Sequence, residues 1–308
     1  MRSLLRVVVV GPGGVGGYFG GMLARAGFRV VMLGRAGRSV AHLDAMARHG
    51  LRLISASFDE RVPVESSTSP VVVRGADLVL FCVKTVDTDA AVQLIAPHLS
   101  PGTILVDLQN GVDNPERMRA AGLDPIPAAV YVAAAVESPG EVRHRGRGDL
   151  VIGHLRRAAD VQRVAQWFER AGVGCRVSDD VERDLWFKLI VNSMANAVSA
   201  LTGATYGQLA EFAPTWQVAV GVAAEAVAVA RASGHDLDRD DVIGRGLEVC
   251  RSVAAATSST EQDLARGRPT EIESLNGYIA RRGNELGVPT PVNHALWALV
   301  KLREAAGH

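Results

Sequence analysis

Cysteine is scarce, with three in 308 residues. Cys82, Cys175 and Cys250 stand far apart and form no C-x-x-C pair, which argues against a zinc ribbon or a disulfide framework and points to a reducing, cytoplasmic setting. Charge of either sign is not in excess: 33 Lys and Arg offset 33 Asp and Glu. No global field therefore favours nucleic acid or an anionic membrane, and a small-molecule partner is the default. Long hydrophobic runs are lacking too. Arg2 and Arg6 before an apolar stretch imitate a secretory signal, but that stretch ends at Val10, so it reads as a buried strand. The segment from Trp216 to Ala230 is interrupted by Glu225 and rich in alanine. It is expected to fall short of a membrane span and to form a buried core helix. No G-x-S-x-G elbow, H-E-x-x-H pair or Cys/His cluster at ligand spacing occurs, and the eight histidines are dispersed. Acyl transfer and metal chemistry are disfavoured on that ground. No internal repeat or low-complexity linker is visible.

What the chain does contain is an alternation of two patterns. From residue 5 to about 178, short Val/Leu/Ile-rich runs alternate with helical periodicity, the signature of βαβ units. Arg6–Val10, Arg29–Leu33, Asp77–Val83, Thr103–Asp107 and Ala128–Ala134 are the candidate strands. Several are apolar at successive positions, as strands covered on both faces should be. Leu51–Ser55 with Arg61–Glu65 reads as a small hairpin, and 141–153 as another antiparallel pair, so the sheet is expected to be mixed at one edge. After Asp180 the strand signal stops and helical periodicity continues to the C-terminus, broken near Gly203, Gly234, Gly267 and Pro289. Thr270 and Glu273 have capping-box spacing, and Pro291 suits a helix start. The expected architecture is an α/β Rossmann-like doubly wound sheet over 1–179 followed by an all-α domain over 180–308.

The segment Gly11-Pro12-Gly13-Gly14-Val15-Gly16 matches G-x-G-x-x-G between a strand and a helical pattern. A lone match is weak in a chain with 32 glycines; its place within a βαβ unit makes it informative. Gly11 would permit the tight turn, Gly13 the approach of a pyrophosphate, and Gly16 close helix–strand packing, with the helix N-terminus facing the phosphate charge. An NAD enzyme should carry a carboxylate at the end of the second strand, for the ribose hydroxyls. Here the strand ends Leu33-Gly34-Arg35, and Arg35 with Arg38 offers guanidinium groups suited to a 2′-phosphate. NADP is therefore the expected cofactor. The plainer alternative is that both arginines are solvated surface residues.

In Trp186-Phe187-Lys188-Leu189-Ile190-Val191-Asn192-Ser193-Met194-Ala195-Asn196, the polar residues at 188, 192 and 196 recur every four positions and share a helical stripe among apolar neighbours. One cation and two amides suit the wall of a cleft. Reduction of a ketone creates an alkoxide that needs a proton donor and a charge stabiliser, and Lys188 can be both. Equally, Lys188 can snorkel to solvent with the asparagines on an exposed face. The helix alone leaves both readings standing.

Taken together, the glycine segment, Cys82-Val83-Lys84 and Gln109-Asn110-Gly111 at strand ends, the Trp186–Asn192 stretch and Thr270-Glu271-Ile272-Glu273-Ser274-Leu275-Asn276-Gly277-Tyr278 resemble the ketopantoate reductase (2-dehydropantoate 2-reductase) family over nearly the whole chain. That resemblance implies reduction of ketopantoate to pantoate by NADPH on the route to pantothenate. It implies Lys188 as proton donor, with Glu271 as the acidic residue that favours its charged form. Asn192 and Asn196 would hold the substrate, and Asn110 would contact both substrate and cofactor. Lys84 and Glu271 would also lie against the cofactor, and Ser259 would reach the substrate carboxylate. The family's Ser-Met-Leu-Gln-Asp reads Ser259-Thr260-Glu261-Gln262-Asp263 here, so another small 2-oxo acid is an alternative substrate. A non-catalytic NADP(H) sensor is the alternative outside enzymes, since fold alone does not set function. No nucleic-acid or membrane partner is expected, and monomer or homodimer is left open.

Overall fold

The computed structural model describes residues 5–37 and 39–306. They form two compact units that divide between Val181 and Glu182. The first contains β1 (Arg6–Val10), α1 (Gly14–Arg25), β2 (Arg29–Leu33), α2 (Val40–His49), β3 (Leu51–Ile54), β4 (Asp59–Val62) and β5 (Glu65–Ser67). It continues with β6 (Leu78–Phe81), α3 (Thr88–Ile95), β7 (Ile104–Asp107), α4 (Asn114–Ala120), β8 (Ile126–Ser138), β9 (Glu141–Ile152), α5 (Ala158–Arg170) and β10 (Cys175–Val177).

These strands build one sheet in the order β4-β3-β9-β8-β7-β6-β1-β2-β5, with β10 added parallel to β9. The segment from β7 to β5 is parallel throughout, whereas β8–β9 and β3–β4 are antiparallel. The doubly wound sheet, mixed towards one edge, is thus present. Val7 and Val9 point into a core shared with Phe19 and Leu23 of α1 and Phe168 of α5. Val8 and Val10 point into a second core with Val92 and Ile95 of α3. Helices on both faces are why β1 is apolar at every one of these positions instead of alternating.

Two strand expectations change. The stretch 141–153 is not a hairpin: Glu141–Ile152 is one strand, whose antiparallel partner is β8. Its glycines belong to an irregular register near Val132 to Ala134, not to a turn. Glu65 does not extend the hairpin either. The hairpin pairs Leu51 with Val62, and Glu65–Ser67 instead runs parallel to β2.

The second unit is helical: α6 (Val181–Thr202, starting one residue before the division), α7 (Tyr206–Glu211), α8 (Ala213–Ala232), α9 (Arg239–Ser252), α10 (Ser259–Ala265), α11 (Asn276–Leu286) and α12 (Pro291–Ala306). Contrary to the composition argument, α8 is long and apolar enough to cross a membrane, at 20 residues and a mean hydropathy of 1.3. A single Glu225 does not lower the average enough. Within this unit α8 packs against α7, α9, α11 and α12, and Ala219, Val222, Ala223, Ala226 and Val227 are buried there. Those are the surroundings of a core helix.

The expected capping box at Thr270 and Glu273 is absent. Thr270 bonds through its hydroxyl to Glu304 at 2.5 Å, and Glu273 lies 3.7 Å from Lys301. A short 3₁₀ turn, Ile272–Ser274, occupies the place, and the non-helical Leu275 (φ −110°, ψ −109°) separates it from α11. The true capping box is at Thr205 and Gln208, opening α7.

A chain of buried amides ties the helices together. Asn276 donates to the Ser193 carbonyl on α6 at 3.1 Å and to Asn293 Oδ1 on α12 at 3.0 Å. Asn293 in turn donates to Glu225 on α8 at 2.7 Å, and Glu225 also accepts the backbone N–H groups of Val292 and Asn293 at the start of α12. Asn276 and Asn293 are both 0% exposed. A buried polar group stripped of its partner costs about 1–3 kcal/mol. Asn276→Ala should therefore lower the thermal unfolding midpoint of this unit clearly, while Gln217→Ala on the exposed face of α8 should shift stability by no more than about 0.5 kcal/mol. Calorimetry on the two variants checks this.

Candidate active site

Four segments at the carboxyl ends of neighbouring parallel strands carry the first unit's candidate residues. The glycine segment follows β1, Arg35 follows β2, Lys84 follows β6 and Asn110 follows β7. β1 is flanked by β2 on one side and β6 on the other. Its carboxyl end is therefore a topological switch point, where open α/β sheets bind ligands.

Gly11 has φ +92°, and its N–H donates to the Leu33 carbonyl at 2.9 Å. A Cβ there would stand 2.8 Å from the Val83 nitrogen, so both the conformation and the space call for glycine. A Cβ on Gly16 would collide with the Gly11 carbonyl oxygen and come within 2.8 Å of Val9 Cγ1. Gly13 differs. Its φ of −77° suits any residue, and a Cβ would meet no atom within 4 Å. The fold does not demand glycine at that point, whereas a closely approaching ligand would. No acidic residue occupies the first turn of α1 and no side chain caps it. Its backbone donors and dipole thus suit an anion, and a dinucleotide pyrophosphate fits. Pro12 is buried and Val15 half-buried beside this cradle.

Arg35 is 45% exposed and makes an ion pair with Asp87 at 2.5 Å. Arg38 lies outside the described residues. Lys84 and Asn110 are half-buried, and their two loops are latched to each other. The Asn110 carbonyl accepts from Asn114 at 2.8 Å and from the Thr85 hydroxyl at 3.3 Å. Gln109 donates to the Val83 carbonyl at 2.9 Å and to Thr88 at 2.8 Å, and Thr88 donates to Asn114 at 3.2 Å. Thr85, Thr88 and Asn114 were not anticipated. Short polar side chains clustered just after strand ends are a turn signal that could have suggested them.

In the second unit, α6 sets Lys188, Asn192 and Asn196 along one stripe between buried Trp186, Phe187, Leu189 and Ile190. Exposure falls along it: Lys188 and Asn192 are half-buried, and Asn196 is 2% exposed. Asn196 is engaged internally, its side-chain Oδ1 accepting from the Tyr206 hydroxyl at 3.0 Å and its backbone carbonyl from Ser258 Oγ at 3.1 Å. Burial, then the nearby Cys250, pushes the Tyr206 hydroxyl well above its ordinary pKa, so it stays a donor. Ser258 is fully buried and caps α10, while Ser259 beside it is exposed at the first position of that helix. Thr260, where the resembling family has an apolar residue, is buried. Glu271 is half-buried at the start of the Ile272–Ser274 turn. Asn276 pins that turn to α6 through the Ser193 carbonyl, next to Asn192.

Burial pushes the Cys175 thiol up to about 12 and the Cys250 thiol up to about 11, far from the thiolate state. Among the described residues, no group of three His, Cys, Asp or Glu side chains converges to hold a metal.

Comparison with known proteins identifies the family and the fold. The chain matches the family model for ketopantoate reductase PanE/ApbA over residues 7–157 and that of its C-terminal part over 180–304. It is 36% identical to a 2-dehydropantoate 2-reductase of Halobacterium salinarum, over 98% of this chain and 100% of that protein. A PanE/ApbA family ketopantoate reductase from Ralstonia eutropha superposes with a TM-score of 0.91 at 44% identity, covering 98% of this chain and 99% of that one. D-mandelate dehydrogenase bound to NADH and anilino(oxo)acetate reaches a TM-score of 0.92 over 98% of this chain and 99% of that one. Its identity is 22%, a likeness of fold alone. The chain belongs to the ketopantoate reductase family of NADP-dependent oxidoreductases, which reduce 2-dehydropantoate to pantoate.

Proposed function

We propose that this chain carries out that reduction with NADPH, using Lys188 as the proton donor and Glu271 to keep it charged. The observation that carries the reading is the α6 stripe: a half-buried lysine followed by two asparagines, with the turn that begins at Glu271 pinned to the same helix by Asn276. Bound NADPH would supply a hydride to the C2 carbonyl carbon, leaving NADP⁺. The carbonyl π electrons pass to oxygen, and the Lys188 ammonium gives its proton to that alkoxide. The amine recovers a proton from solvent, so charge and protons balance. A nearby carboxylate favours the ammonium form between turnovers. A positive group beside the developing oxyanion also lowers the barrier electrostatically.

The other residues have supporting roles. Gly11 to Gly16 cradle the pyrophosphate, and Arg35, with Arg38, takes the 2′-phosphate. Asn110 and Lys84, on latched loops, hold the reacting end of the cofactor. Asn192 orients the oxo acid. Asn196, expected to hold the substrate with Asn192, is buried with its Oδ1 taken by Tyr206, so we assign it instead to keeping α6, α7 and α10 in place beneath the site, and exposed Ser259 bonds the substrate carboxylate. The setting we propose is the cytoplasm, with a homodimer as the assembly for light scattering to test.

Removing a general acid costs about 10²–10⁴ in rate. Lys188→Ala should lose kcat by that factor while its NADPH affinity, read by fluorescence, stays close to wild type. Near-wild-type turnover in a folded variant would end the assignment. Replacing Arg35 and Arg38 together by alanine should weaken NADPH by about 10- to 100-fold per charge-assisted contact and spare NADH. Equal losses with both cofactors would contradict the 2′-phosphate role. Ser259→Ala should raise KM for ketopantoate by about 10-fold or more, the loss of one hydrogen bond to a charged group, with kcat little changed. A panel of 2-oxo acids assayed in parallel tests the substrate itself.

A further inference from the structure

We propose that Asp87 sets the strength of cofactor discrimination: it is the counter-ion of Arg35 and tempers the preference for the 2′-phosphate. The proposal rests on the reading of Arg35 as the 2′-phosphate residue. Arg35 Nη2 lies 2.5 Å from Asp87 Oδ1. Asp87 occupies the N-cap position of α3, the place where an aspartate ordinarily bonds its own helix. Its side chain makes no cap hydrogen bond and turns instead to Arg35. The backbone beneath it is anchored. Asp87 N donates to the Lys84 carbonyl at 2.8 Å, and the flanking Thr85 and Thr88 belong to the latch with Gln109 and Asn114. The carboxylate is therefore held on a rigid turn at the carboxyl end of β6, across from the end of β2.

An ion pair this exposed, 45% on one side and 27% on the other, contributes little to folding. Its consequence is local and electrostatic. A 2′-phosphate bound to Arg35 must share the guanidinium with Asp87 or displace it. In either case the phosphate dianion and the carboxylate compete for one guanidinium, and their repulsion is screened by salt over a Debye length of about 8 Å at physiological ionic strength. The neutral 2′-hydroxyl of NADH meets no such repulsion, and an amide oxygen at position 87 can accept from it as a carboxylate oxygen can. A carboxylate comes to the end of the second strand in this chain from the loop after β6, on the far side of β1, beside an arginine that opposes its effect.

The test is the dissociation constant of NADPH and of NADH, by fluorescence titration at low and high salt, for the wild type, Asp87→Asn, Asp87→Glu and Arg35→Ala. Asp87→Asn should tighten NADPH by about three- to tenfold at low salt, less at high salt, and change NADH by less than about twofold. Asp87→Glu, which keeps the charge, should bind as the wild type does. Weaker NADPH binding in Asp87→Asn would make the residue a support for Arg35 and overturn the proposal. Unchanged binding, or an equal change for both cofactors, would overturn it too. Arg35→Ala tests the underlying cofactor reading separately: equal losses with NADPH and NADH would remove that reading, whatever Asp87→Asn does.

Discussion

The approach of α1 to the carboxyl ends of β1 and β6 is the constraint from which the first unit follows. Gly16 lets the helix lie so near β1 that a side chain would strike the Gly11 carbonyl, and Gly11 turns the chain through a conformation closed to other residues at that spot. Because the helix starts this close, its positive end opens at the switch point of the sheet instead of over a face. The loops after β2, β6 and β7 converge there because they leave neighbouring parallel strands in the same direction. In open α/β sheets such loops are where binding residues commonly fall, because the scaffold is rigid and the loop backbone is accessible.

The second unit solves a different problem. A polar stripe along α6 requires a helix that is otherwise buried, and burying polar groups is tolerated only when they are paired. The relay Ser193–Asn276–Asn293–Glu225 joins the Glu271 segment, α6, α12 and α8 through directed bonds that leave little choice of register. Tyr206 and Ser258 do the same for the far end of the stripe. Lys188 and Asn192 are thus carried on a framework whose register is fixed by directed bonds, the kind of preorganised support that a charged group in a site needs. Both units thus spend polar side chains on geometry, the first to latch loops and the second to lock helices.

Short-range features were legible in the residues alone. The ends of β1 and β2, the glycine turn, the start of α12 at Pro291 and the i, i+4 stripe of α6 each depend on periodicity, backbone conformation or steric size, which neighbours in sequence decide. Where local reading failed, a distant partner had intervened. Thr270 and Glu273 have the spacing of a capping box, yet Glu304 and Lys301 on α12 draw them away. The 141–153 stretch reads as an antiparallel pair, yet Glu141–Ile152 is a single strand whose antiparallel partner is β8.

The sequence by itself determined the class of the first unit, the helical nature of the second, the place of the glycine turn and the candidate proton donor, since each is written in a contiguous segment. Only the tertiary structure decided that Asn196 is buried against Tyr206, that Ser258 caps while Ser259 is exposed, and that Arg35 is paired with Asp87. Each of these joins residues, or sorts neighbours, through contacts with segments remote in the chain. A hydrogen bond or ion pair acts over about 3 Å of space, and no spacing along the sequence encodes which distant groups the fold will bring within that reach.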